Sequence, residues 1–276
     1  MAYKKILTIQ DISCVGQCSL TVAIPILSAC GLETCPLPSA VLSTHTAGFS
    51  GFTFRDLTDD MPAIQAHWQK ENIKFSAIYT GYLGSIKQVG YVQSILDTMG
   101  TDDCVRIVDP AMADNGKLYS IFNDEYVAAM RSLCASADIL IPNITEAAFL
   151  TASEYRESYD EAYITELCEK LTALGAKTVV MTGVGYRDGK TGVAVYENGK
   201  MSYYEHNKIG KGAHGTGDIY ASAFTGALMN DKEIYDAARI AADYTVKCII
   251  NTQGDADHWY GAKFEPALRD LMDMIK

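Results

Sequence analysis

Proline is scarce in this 276-residue chain, with 7 residues, and its 22 glycines show neither a Gly-X-Y period nor a low-complexity linker. Collagen-like and disordered architectures are excluded. Cations are also short: 23 Lys and Arg face 34 Asp and Glu, a net charge of −11. Such a balance repels a phosphodiester backbone and argues against nucleic acid as a partner. The eight cysteines (14, 18, 30, 35, 104, 134, 168, 248) form no CxxC pair, and only five histidines could supplement them as metal ligands. They read as reduced thiols of a cytoplasmic protein. No stretch approaches the ~18 apolar residues that cross a bilayer. Met1 to Ile6 enters a strand-like run without a signal-peptide core, and no membrane role is expected.

What is present is an ordinary globular composition, 48% hydrophobic and 21% charged, long enough for a sizeable core. Short β-rich runs alternate with helical patterns: Ile6 to Gln10, then Ser19 to Cys30; Ala77 to Thr80, then Ile86 to Met99; and Val105 to Val108, Ile139 to Ile141 and Thr178 to Met181. That alternation predicts an α/β fold of parallel strands with crossover helices. Gly192 to Glu197 and Met201 to His206 flank Asn198-Gly199, a two-residue hairpin signal, and predict an antiparallel sheet edge. The last quarter is helical through Ile219 to Met229, Ile234 to Ile250 and Phe264 to Ile275. Two glycine-bearing loops, Ser43 to Phe54 and Ala111 to Ser120, are candidate lids.

The densest chemical signal is Lys208 to Phe224, KIGKGAHGTGDIYASAF. Backbone N–H groups of Gly215, Thr216 and Gly217 at a helix start would converge on one spot and form an anion hole, reinforced by the positive helix end. A glycine-rich turn that merely needs positive φ is the structural alternative. Gly210, Gly212 and Gly215 also match the dinucleotide GxGxxG. Asp218, three residues on, would press its charge against a resting pyrophosphate, so it suits a base taking a proton from an alcohol better. It could instead be a plain first-turn helix carboxylate. Gly189-Lys190-Thr191 lacks the upstream glycine of a P-loop. Val108-Asp109-Pro110 and Pro142-Asn143-Ile144-Thr145-Glu146 place carboxylates at strand ends on the same sheet edge, where they can hold Mg²⁺ for a tetra-anionic nucleotide. Each has a bland reading, an Asp-Pro turn and a helix-start Glu. Lys208 and Lys211 either contact phosphates or are solvated surface charges.

GTGD at 215–218, preceded in order by DPAMAD at 109–114, PNITE at 142–146 and Thr182-Gly183, resembles the ribokinase superfamily over nearly the whole chain. Ser43-Thr44-His45-Thr46 and Tyr79-Thr80-Gly81-Tyr82 are similar to segments of its pyridoxal kinases. The resemblance implies one ribokinase-like domain over 1–276, a three-layer α/β/α with a central, mostly parallel sheet and an antiparallel edge. It further implies ATP-dependent phosphorylation of a B6 vitamer's 5'-hydroxymethyl group, with Asp218 as base and Gly215 to Gly217 as anion hole. Thr46 and Tyr82 would contact the pyridine. Asp109, Asp114, Asn143, Glu146 and Thr182 would line the nucleotide phosphates and Mg²⁺, with Tyr119 in the closing 111–120 loop. A monovalent cation such as K⁺ and a homodimer are further implications.

One departure stands out: Ile9-Gln10-Asp11 replaces the family's Ile-Gln-Ser. Asp11 could pair with a protonated ring nitrogen, or simply cap the next helix. His45 reads as a loop-fixing partner rather than a catalyst. A hydroxymethylpyrimidine kinase, a catalytically silent vitamer-binding module and a dinucleotide-dependent dehydrogenase are the competing readings.

Overall fold

Strand runs that are apolar at successive positions suit a sheet covered on both faces. In a computed structural model, which describes residues 3–210 and 213–276, the chain opens with β1 (Lys5–Val15), α1 (Leu20–Ala29), β2 (Glu33–Thr44), β3 (Phe54–Asp56), α2 (Met61–Lys70), β4 (Phe75–Thr80) and α3 (Ile86–Thr98). It continues through β5 (Gly100–Val108), β6 (Ala113–Asp114), β7 (Lys117–Leu118), α4 (Asp124–Cys134), β8 (Ile139–Leu140), α5 (Ile144–Thr151) and α6 (Glu161–Leu174). It ends with β9 (Thr178–Val184), β10 (Lys190–Glu197), β11 (Lys200–Asn207), α7 (Thr216–Leu228), α8 (Ile234–Thr252), a 3-10 turn (Glu265–Ala267) and α9 (Leu268–Ile275).

The main sheet has nine strands in the order β11-β10-β9-β8-β5-β4-β1-β2-β3. The six from β9 to β2 run parallel, and β10, β11 and β3 are antiparallel. Side chains alternate between two cores: Leu7, Ile78, Val108 and Leu140 pack under α2 to α6, while Ile6, Ala77, Ile107 and Ile139 pack under α1, α7, α8 and α9. The result is the predicted α/β/α layering with its antiparallel edge. Among the described residues no helix is long and apolar enough to cross a membrane, and all eight cysteines are free thiols.

Three features differ from the sequence reading. Strand β2 is absent from it because Pro36 and Pro38 interrupt the pattern; β3 pairs only with Ala40 to Leu42, so the missing N–H groups face no partner strand. The Ala111 to Ser120 segment is not a plain loop. It folds into the β6–β7 hairpin around Asn115-Gly116, both at positive φ. Helices α2, α4, α5 and α6 also lie outside the runs read from periodicity.

Candidate active site

At the carboxyl edge of the parallel strands, Gly215 opens α7 with φ 77°. A Cβ on Gly215 would lie 1.7 Å from the Gln17 carbonyl oxygen, so only glycine lets the helix start pass this close to the β1–α1 connection. Among the described residues nothing accepts the N–H of Gly215, Thr216, Gly217 or Asp218. The space a Cβ would fill at Gly217 is open. Asp218 sits beside these amides, half-buried by surface yet surrounded mostly by protein. Burial pushes its carboxyl up to about 7, opposed by the Ser19 backbone N–H and reinforced by the charge of Asp11. Among the described residues the helix start is open, as an anion hole requires.

Asp11 lies in β1 where the pairing with β2 slips register between Gln10 and Ile12. It therefore does not cap α1; Ser19 holds that position. Asp11 is 5% exposed and accepts hydrogen bonds from Ser13 Oγ (3.0 Å) and Ser19 Oγ (2.7 Å). Burial raises its carboxyl and the two hydroxyls oppose the rise. Tyr82 feels the same carboxylate, its phenol pushed up to about 12 chiefly by burial. His45 Nε2 meets the Tyr260 carbonyl at 2.6 Å, and its Nδ1 accepts the Ala47 N–H at 3.1 Å. A carbonyl only accepts, so Nε2 donates while Nδ1 accepts, and both ring nitrogens are engaged. That is the arrangement of a loop fastener. Thr46, the next residue, is exposed on the same loop.

The nucleotide-side residues form a second cluster. Asn143 and Glu146 make a capping box at α5: Asn143 Oδ1 accepts the Glu146 N–H (2.9 Å) and Glu146 Oε2 the Asn143 N–H (2.8 Å). Glu146 Oε1 also accepts the Met112 N–H at 3.2 Å, and Asn143 Nδ2 donates to Ala113 O at 2.9 Å. Together they clamp the β6–β7 hairpin over the sheet edge. Both Glu146 oxygens are thus spent on backbone, which weakens the expectation of Glu146 as a direct metal ligand. Asp109 is buried and raised well above the usual carboxylate range by desolvation and by Asp218; Glu146 is raised likewise, by burial and Asp109.

Among the described residues no three or more His, Cys, Asp or Glu side chains gather as a ready-made metal site. Asp114 is exposed at the hairpin turn, bonded to Asn115. Tyr119 follows the hairpin within the field of Glu146, Asp109, Asp114 and Asp218, its phenol raised chiefly by burial. Thr182 bridges β9 to Asn143. Lys208 is exposed beyond β11, bonded through its backbone to Gly189, and Lys211 lies outside the described residues.

Ser19 and Gln17 are site residues that no motif announces, while Met112 and Tyr79 lie inside quoted motifs without a role assigned to them. Tyr79 is fully buried, its phenol raised chiefly by burial and then by the charges of Asp109 and Asp218. Only its place in Tyr79-Thr80-Gly81-Tyr82 hinted at relevance.

A mostly parallel three-layer sheet, with a carboxylate beside an open helix start at its carboxyl edge, defines a ribokinase-like kinase. The family model for phosphomethylpyrimidine kinase matches residues 24–262, and the chain belongs to that family. A Bacteroides thetaiotaomicron VPI-5482 structure, named as a phosphomethylpyrimidine kinase and crystallised with pyridoxal, is 38% identical with a TM-score of 0.92, covering 98% of this chain and 96% of that one. Pyridoxal kinase from Lactobacillus plantarum is 30% identical at a TM-score of 0.91, covering 98% and 97%. A hydroxymethylpyrimidine/phosphomethylpyrimidine kinase of Bacillus subtilis (strain 168) is 27% identical over 223 residues, 78% of each chain. The relatives thus span both B6 and pyrimidine kinases.

Proposed function

We propose that the protein uses ATP to phosphorylate the 5'-hydroxymethyl group of a B6 vitamer, pyridoxal, pyridoxine or pyridoxamine. The observation that carries this reading is Asp218 in the first turn of a helix whose leading N–H groups have no acceptor among the described residues. A carboxylate near 7 is half-ionised at neutral pH, which suits a general base. Asp218 takes the hydroxyl proton as the alcohol oxygen attacks the γ-phosphorus. The bond from that phosphorus to the β–γ bridging oxygen breaks, and ADP departs with the electron pair. The amides of Gly215, Thr216 and Gly217 receive the charge spread over the transferring phosphoryl oxygens.

Mg²⁺ fits the donor set. Asp109 and Asp218 face each other's charge with no described cation to relieve them. Asp109 would hold the ion, with Glu146 reaching it through water, and the ion would supply charge neutralisation at the β- and γ-phosphates. Asp11, Tyr82 and the loop fixed by His45 would then frame the ring, a buried carboxylate suiting a protonated pyridine nitrogen.

Support for a B6 acceptor comes from the relative crystallised with pyridoxal. The family's own description and the Bacillus subtilis relative favour a second acceptor, hydroxymethylpyrimidine. Steady-state assays with ATP and each of the four alcohols separate the two. The expected result is a kcat/KM at least about ten-fold higher for the best vitamer, the margin that one hydrogen-bonded charge supplies. A higher value for hydroxymethylpyrimidine overturns the choice of acceptor; no phosphorylated product from any of them overturns the kinase mechanism.

A further inference from the structure

Ser19 hydrogen-bonds the carboxylate assigned to the ring and turns its backbone N–H toward the base. It sits at φ 53°, ψ −132°, a conformation that favours glycine, and is 4% exposed. As the N-cap of α1 its hydroxyl would ordinarily accept a helix N–H, yet no such bond forms. The hydroxyl instead donates to Asp11 Oδ1 at 2.7 Å. The backbone N–H of the same residue approaches the Asp218 carboxylate. The Ser19 carbonyl accepts Val22 N–H (3.1 Å) and Ala23 N–H (2.9 Å), anchoring the strained residue to the rigid helix.

We infer that Ser19 is a positioning residue, holding Asp11 ionised and aimed at the acceptor while its strained backbone orients Asp218 toward the hydroxyl to be phosphorylated. A glycine at this position would satisfy the backbone without strain. A serine there is explained by the bond its hydroxyl makes. Both carboxylates are like-charged neighbours, each raising the cost of ionising the other. One residue that gives its hydroxyl to Asp11 and its backbone N–H to Asp218 eases both charges in a site without a described cation. The groups facing Asp11 are Ser13, His45, Cys18, Tyr82 and Asp218. Those facing Asp218 are Asp11, Asp109, Cys18, Tyr79 and Tyr119. None of these is a lysine or arginine, and His45, the last of the causes that lower Asp11, has both ring nitrogens engaged.

The inference rests on the proposed vitamer phosphorylation and is tested by Ser19→Gly beside Ser19→Ala in the full-length enzyme. Glycine keeps the backbone N–H and removes strain and hydroxyl together; alanine removes the hydroxyl and keeps the strain. For Ser19→Gly the expected result is a melting temperature at or above wild type. The KM for the vitamer should rise about ten-fold, the loss of one charge-assisted hydrogen bond, with the KM for ATP unchanged. Below the limb set by Asp218, kcat/KM for the vitamer should fall more steeply as pH drops, because Asp11 has lost a donor to its charged form. Ser19→Ala should show the same kinetic change at a lower melting temperature. A merely structural serine would alter melting temperature alone, so an unchanged vitamer KM and pH profile in Ser19→Gly overturns the inference. Failure of the wild-type enzyme to phosphorylate any vitamer would strike the underlying reading instead.

Discussion

Asp218→Asn should make this protein more stable while making it a worse catalyst. The folded carboxyl is displaced from 3.8 to about 7 by burial, so between those values the folded chain keeps a proton that the unfolded chain has released. Stability contributed by this group therefore falls as pH rises from about 4 to about 7, and stays low above that. The full displacement corresponds to about 4 kcal/mol of destabilisation at and above neutral pH. Asparagine has nearly the same shape, can still accept the Ser19 N–H, and carries no charge to desolvate. Urea unfolding of the ligand-free protein at two pH values checks the reasoning. The variant should gain a few kcal/mol over wild type at pH ~8 and clearly less at pH ~5. Its kcat should fall by about 10² to 10⁴, the usual worth of a general base. In wild type the acid limb of the rate profile should lie near 7. A variant with near-normal kcat, or with a stability gain that does not grow with pH, would refute the assignment of Asp218 as a buried, charge-strained base.

Two further substitutions probe the frame around that base. Gly215→Ala should lower both kcat and the melting temperature sharply, since positive φ costs a non-glycine residue roughly 1–3 kcal/mol and the new Cβ would in addition collide with the Gln17 carbonyl; full activity would mean that the open amides are not the anion hole. Asn143→Ala should cost about 1–2 kcal/mol in chemical denaturation through the lost cap and the freed Ala113 carbonyl. Asn143→Asp should restore only the cap, and complete recovery would show that the clamp on the hairpin is dispensable.

Where local chemistry dominates, the sequence was explicit. GTGD announced the helix start, its positive-φ glycine and its neighbouring carboxylate, because a glycine cluster before a small-residue helix has few other structural meanings. Asn143 and Glu146 at i and i+3 were a capping box in plain view, although the order of motifs drew attention to metal binding instead. Asn115-Gly116 carries the same turn signal as Asn198-Gly199, so the β6–β7 hairpin was readable from the same rule. Ser19 was not readable. Its positive φ falls where the β1–α1 connection passes against the Gly215 backbone, a meeting that exists only in three dimensions. The same holds for Asp11, whose reading as a cap could not be set aside until the register slip placed it within β1.

The acidic residues along the sheet edge explain one another. Asp11 raises Asp218, Asp218 raises Asp109, and Asp109 raises Glu146, so each ionisation makes the next harder. Glu146 escapes part of the cost by accepting backbone N–H groups, and Asp11 by accepting two hydroxyls. Asp109 and Asp218 have no comparable relief among the described side chains. A polyanionic nucleotide brought alone to this edge would add to the repulsion. The arrangement favours ligands that bring positive charge with them, as the proposed divalent ion at Asp109 and protonated ring nitrogen at Asp11 would do. Between the two, the uncharged amides of Gly215 to Gly217 can attract a phosphoryl group without adding a cation that would quench the base.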